Sequence, residues 1–144
     1  MMTRAAKRQL LLAPILLTVG GAVYLLLRPR TLLLFRVADG LGFSDQVNQW
    51  RSSVSSSMLP EWMVYCLPDA LWTTAYLLVI DALLRTEPRC QRMCSAAIIP
   101  VVGLLSEVLQ WAGLLPGTYD PLDLAAYALP FVCYWLWTEN VVQR

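Results

Sequence analysis

Residues 9–27 read QLLLAPILLTVGGAVYLLL. These 19 residues carry no charge. As a helix rising 1.5 Å per residue they extend about 28 Å, close to the hydrocarbon thickness of a bilayer at about 30 Å. Arg4, Lys7 and Arg8 precede the run, and Arg28-Pro29-Arg30 ends it. A signal peptide would be shorter and would end at a small-x-small cleavage site. The stretch therefore reads as an uncleaved first transmembrane helix. Pro14 and Gly20-Gly21 are compatible with it, because neighbouring helices can satisfy freed backbone groups in lipid.

Working outward, three more apolar blocks appear. They predict spans at about 62–84, 93–115 and 124–137, the last only about 21 Å long. The polar turn 85–92 and the turn PGTYDPLD at 116–123 separate them. The region 28–61 differs, with apolar clusters between polar residues. Leu34, Val37, Leu41 and Val47 suit one face of a broken amphipathic helix, interrupted by Gly40 and Gly42 and followed by a flexible SSVSSS link at 52–57. The expected fold is a single all-α membrane domain of four transmembrane helices, with an amphipathic segment between helices 1 and 2.

Composition agrees with this class. Of 144 residues 58% are hydrophobic and 15% charged, with mean hydropathy +0.54. Soluble domains lie nearer half apolar and a quarter charged. No basic-aromatic patch points to nucleic acid. Histidine is absent, which excludes Ser-His-Asp and Cys-His catalysis, His-ligated zinc and His-ligated haem. Cys66, Cys90, Cys94 and Cys133 read as reduced, structural thiols, since the Cys90/Cys94 pair has no second pair nearby. No cofactor and no metal centre is expected.

Charge placement sets an expected orientation. Arg4, Lys7, Arg8, Arg85, Arg89, Arg92 and Arg144 share one side, seven of the eleven basic residues. By the positive-inside rule both termini are cytoplasmic.

The carboxylates are then the unusual feature. Asp69 lies about 22 Å and Glu107 about 21 Å from the cytoplasmic ends of their helices, and Asp123 opens the last helix. All three reach one level near the outer face. Ionised carboxylates in lipid are costly, so they belong in the bundle interior or a wet cleft. Asp69, Thr73 and Tyr76 fall at i, i+4 and i+7; Glu107 and Gln110 are three apart, with Gly103 a turn earlier permitting close approach; Asp123 and Tyr127 are four apart. These seven form a candidate polar pocket. Arg30 and Arg36, in the outer loop, are placed to fold over it as counter-charges; alternatively Glu107 or Asp69 holds a proton. Other roles stay open. Asp120 and Asp123 suit the opening turn of the fourth helix, Glu107 and Gln110 suit interhelical hydrogen bonding, and Asp81 suits a structural pair with Arg85 at i+4.

Three motifs carry a resemblance. Glu107 and Gln110 form ExxQ in a membrane helix, Asp120 to Tyr127 form D-x-x-D-L-x-A-Y, and Leu67 to Trp72 read LPDALW. Over about residues 62–138 the chain resembles VanZ-like bacterial membrane proteins. That family often has an Arg before the Asp and a Gly after it, where this chain has LLPGTYDPLD and AAYALP. Arg30 or Arg36 would then substitute for the missing Arg. The resemblance implies a bacterial inner-membrane setting and supplies no reaction.

The function expected is that of a small non-enzymatic accessory protein of the envelope. Its outward pocket would bind a lipid, a lipid-linked glycan or a partner membrane protein. The competing expectation is a lipid- or glycan-modifying enzyme, with Asp69, Glu107 and Asp123 holding a divalent cation or acting as acid and base.

Overall fold

The computed structural model describes residues 3–28, 33–53 and 60–142. The described residues are all-helical: α1 (Arg4–Leu27), α2 (Leu33–Gly40), α3 (Ser44–Ser53), α4 (Glu61–Tyr65), α5 (Leu67–Leu83), α6 (Arg89–Trp111) and α7 (Pro121–Val142).

Local chemistry sets the helix ends. Thr3 caps α1, its hydroxyl accepting the Ala6 N–H at 3.2 Å. Pro29 follows Arg28 and disfavours the helical region for it; Arg28 is extended, at φ −77° and ψ 156°, and α1 stops there. α6 closes in a Schellman turn. Gly113 takes φ +70°, its N–H reaches the Gln110 carbonyl at 3.0 Å, and the Leu114 N–H reaches Leu109 at 2.9 Å. α7 opens with Asp120 as cap: its Oδ1 accepts the Leu122 N–H at 2.8 Å, and Pro121 occupies the first helical position, where no N–H is needed.

The long helices alternate in direction. α5 is the hub, packing on α1, α6 and α7, while α7 also packs on α6. A small core forms where Leu77, Ala96 and Tyr134 meet, flanked by Tyr76, Ile80, Met93 and Phe131. Two glycines allow close helix approach. A Cβ on Gly20 would lie 2.6 Å from the Trp72 indole, and one on Gly103 would lie 2.5 Å from the Tyr127 ring.

The alternation gives the bundle two polar ends. At one, Asp81 is 2% exposed and gathers groups from all four long helices. It accepts from Gln9 at 2.8 Å, Arg85 at 2.7 Å and Tyr134 at 3.3 Å, with Arg92 at 3.7 Å. The expected Asp81–Arg85 pair is present within this larger network. The other end carries the candidate site.

The structure corrects several boundaries. Among the described residues two helices, α1 and α6, are long and apolar enough to cross a membrane, where four such helices are expected from the sequence. α5 has 17 residues because the stretch from residue 62 breaks at Cys66, separating α4 from α5. α7 is long, at 22 residues, and includes Pro121, Asp123, Pro130 and Glu139; it is not the 14-residue helix expected at 124–137. The amphipathic segment is two short helices, α2 and α3, in which Phe35 and Val47 are buried, whereas Val37 and Leu41 are exposed. The side chain of Leu34, and most of the SSVSSS stretch, lie outside the described residues, while Ser52 and Ser53 end α3.

Candidate functional site

Pro68 begins the construction. It lacks the N–H that would reach the Val64 carbonyl, so the helix breaks at Cys66 and leaves carbonyls without helical donors. Arg28, at the end of the antiparallel α1, supplies them. Its Nε donates to the Val64 carbonyl at 3.4 Å and its Nη2 to the Tyr65 carbonyl. The same Nη2 pairs with Asp69 Oδ2 at 3.1 Å, with both side chains 14% exposed. The guanidinium also lies 4.9 Å from the Tyr24 ring centroid and 5.5 Å from that of Tyr65. Arg51 from α3 secures the other side of this end, its Nη1 donating to the carbonyls of Leu25 at 2.6 Å and Arg28 at 2.9 Å.

The counter-charge to the carboxylates is thus Arg28. Arg36 is exposed on α2, and the Arg30 expectation lies outside the described residues. The structure therefore corrects the Arg36 assignment: α2, which carries Arg36, packs on α3, whereas Arg28 at the end of α1 pairs with Asp69 of α5.

Glu107 is 5% exposed and clamps the α6–α7 turn, its Oε2 accepting the Asp120 N–H at 3.2 Å. Asp123 follows one helical position after Leu122, in the first turn of α7, where the helix dipole favours an anion. Its Oδ1 is buried without a hydrogen-bond partner. Tyr127, one turn on, lies within electrostatic reach of Asp69, Asp123 and Glu107. The three carboxylates expected to converge do reach one end of the bundle.

Below them is a cleft of about 450 Å³, lined by Asp69, Trp72, Thr73, Tyr76 and Tyr127, with Leu17 and Ile99 at its sides. It exists because α1 and α6 both pack on α5 rather than on each other. Four expected site residues, Asp69, Thr73, Tyr76 and Tyr127, line it together. Thr73 is 1% exposed, yet its Oγ1 has no hydrogen-bond partner. A buried hydroxyl left unmatched costs about 1–3 kcal/mol. Its neighbour Thr74 bonds back to the Ala70 carbonyl at 2.7 Å instead.

Gln110 is not in the cleft. Its amide lies against Gly117, where a Cβ would come within 2.7 Å of it. The cation-binding geometry is also distributed differently from the expected Asp69, Glu107 and Asp123 set. Among the described residues, the ligand-type atoms lying within 4.8 Å of one another belong to Cys66, Asp120 and Asp123. Asp120 is already engaged as the helix cap. The other cysteines are free thiols at exposed positions.

A second, larger hollow of about 690 Å³ follows the outer seam of α5 and α7, past residues such as Leu67, Ala70, Ala125, Leu129 and Pro130. Its lining, like that of the smaller cleft, is mostly apolar, and it reaches the carboxylate end at Cys66.

No family model, curated protein or solved structure matches the chain. The likeness to VanZ-like proteins rests on its motif residues alone.

Proposed function

We propose that this chain is a small non-enzymatic accessory protein of a bacterial inner membrane. In this reading α1, α4–α5, α6 and α7 all cross the bilayer, both termini are cytoplasmic, and the Asp69–Thr73 cleft opens toward the outer leaflet to hold a lipid headgroup. Neighbouring membrane proteins would pack on the remaining apolar faces, and the VanZ-like motifs would mark the headgroup end.

The membrane setting draws support from an inverted distribution of apolar surface. Only 11% of the apolar window of α1 and 22% of that of α6 is buried. Leu11, Ile15, Val101, Val102 and Leu105 are exposed. In water such continuous apolar faces would demand a cover; in a bilayer lipid supplies it.

The observation that carries the binding role is the cleft itself. It is a concavity of about 450 Å³ with a mostly apolar lining, into which few polar groups are set: Asp69 at one end and a buried, unmatched Thr73 hydroxyl. Ligand sites typically run from about 300 to 1,000 Å³ with a few fixed polar groups.

Two experiments test this reading. Impermeant maleimide should label Cys90 only from the cytoplasmic side, and a Thr118→Cys variant, with the native cysteines replaced, only from the opposite side. Labelling of both from one side contradicts the four crossings. Native mass spectrometry of the chain extracted in mild detergent should show one retained lipid. Ile99→Trp, at the 41%-exposed cleft wall, should remove it at unchanged membrane levels. Equal lipid retention in that variant contradicts the pocket.

A further inference from the structure

Accepting the cleft as a headgroup pocket, we propose that the group it takes is an alkylammonium, the amine of a zwitterionic membrane lipid. The inference rests on that reading and adds the chemical class of the ligand.

The polar inventory of the cleft decides the class. Trp72 spends its indole N–H on the Leu17 carbonyl at 3.3 Å. Tyr76 spends its hydroxyl on the Ser95 carbonyl. Those two aromatic side chains thus offer π surface, and their N–H and O–H are already engaged. The acceptors are concentrated at the upper end: Asp69 lines the cleft, and Tyr127 sits in the combined field of Asp69, Asp123 and Glu107. Among the described residues, the positive charge acting on Asp69 and Asp123 is Arg28. Asp69 is the one carboxylate in the cleft lining, and its partner Arg28 is already spent on it and on the Val64 and Tyr65 carbonyls.

An anionic headgroup entering there would meet the acceptor oxygens of Asp69 and an arginine already engaged, with Thr73 as its unengaged donor in the cleft lining. A glycan headgroup would need donors and acceptors interleaved, and the donors of Trp72 and Tyr76 are committed. An ammonium group needs acceptors and aromatic surface, and the cleft supplies both: Asp69 and the Thr73 oxygen as acceptors, and Trp72, Tyr76 and Tyr127 as π walls. Thr73 is the independent sign that a ligand belongs there, being 1% exposed with Oγ1 unpartnered in the cleft lining.

The test is a lipid panel read by native mass spectrometry. The full chain in mixed micelles would be offered phosphatidylethanolamine, phosphatidylcholine, phosphatidylglycerol and a diglucosyl diacylglycerol in turn, and separately ethanolamine and tetramethylammonium as soluble competitors. The two amine lipids should be retained at least about tenfold better than the others, corresponding to about 1.4 kcal/mol. Asp69→Asn should cut that retention by a similar factor. Because Asp69 also pairs with Arg28, the near-isosteric Thr73→Val serves as a second variant, expected to lower retention several-fold with unfolding unchanged or later. Binding of the soluble amines without retained lipid would keep the ammonium class and make its source a free amine. Preferred retention of phosphatidylglycerol or the glycolipid, abolished by Thr73→Val, would overturn the ammonium class while leaving the headgroup pocket standing. If neither lipid nor free amine binds, or if binding ignores both variants, the pocket reading fails and this inference fails with it.

Discussion

Arg28 and Asp69 meet at 3.1 Å where the end of α1 crosses the start of α5. The contact follows from two prolines. Pro29 ends α1 at Arg28, and Pro68 leaves carbonyls at the end of α4 for that arginine to serve. Removing one partner of a buried pair leaves the other uncompensated, at about 3–5 kcal/mol. Arg28→Met should therefore destabilise the protein by about that much in detergent-induced unfolding. Arg28→Met combined with Asp69→Leu should lose less than Arg28→Met alone. Additive losses would contradict the pairing.

The network around Asp81 is expected to hold structure only. Asp81→Ala strands Arg85 and Arg92 beside a buried hole and should lower stability by about 3–5 kcal/mol. Tyr134→Phe, which removes one hydrogen bond at 3.3 Å, should cost about 1 kcal/mol. Lipid retention, measured on the fraction that stays folded, should match wild type in the Tyr134 variant. A specific loss of binding there would place function at both ends.

Glu107 needs to be an acceptor, not a charge, to clamp the turn. Glu107→Gln keeps an oxygen for the Asp120 N–H and should leave stability within about 1 kcal/mol of wild type. Glu107→Ala orphans that N–H and should cost about 1–3 kcal/mol. Asp120→Ala removes the α7 cap, for about 1 kcal/mol. Unfolding midpoints for the three variants check the order; equal losses for the Gln and Ala forms at 107 would contradict the clamp.

Gly103 should tolerate no side chain. Its added Cβ would sit 2.5 Å from the Tyr127 ring. Gly103→Ala should cost about 1–3 kcal/mol by forcing α6 away from α7. Pairing it with Tyr127→Ala should recover part of that loss, and a double-mutant cycle reads the coupling. Independence of the two positions would place the ring elsewhere.

Helical spacing made much of this site legible. The i, i+4, i+7 run of Asp69, Thr73 and Tyr76 places three cleft residues together because 3.6 residues per turn admits little else. Counting rise along each helix put Asp69, Glu107 and Asp123 at one level, and Gly103 marked a close approach. Arg28 escaped notice because Arg28-Pro29-Arg30 reads first as a stop signal. The clue was Pro68, whose missing N–H leaves a carbonyl in need of a donor. Gln110 looked like a pocket residue because spacing says nothing of the Schellman turn at Gly113, after which Gly117 comes back against it. Gln9, Arg92 and Tyr134 converge on Asp81 from three helices, and such convergence depends on interhelical register that no local pattern carries. α7 runs past its expected end at Trp137 to Val142, and Glu139 in that extension pairs with Arg89 at 3.1 Å.

The most direct measurement is a crystal structure grown from a lipidic mesophase containing phosphatidylethanolamine. The account predicts an ordered non-protein group in the cleft, within hydrogen-bond reach of both Thr73 Oγ1 and the Asp69 carboxylate, with Arg28 still on Asp69. A Thr73 hydroxyl turned back onto its own helix beside a closed cleft, or carboxylates of Asp69, Glu107 and Asp123 directed apart, would contradict it.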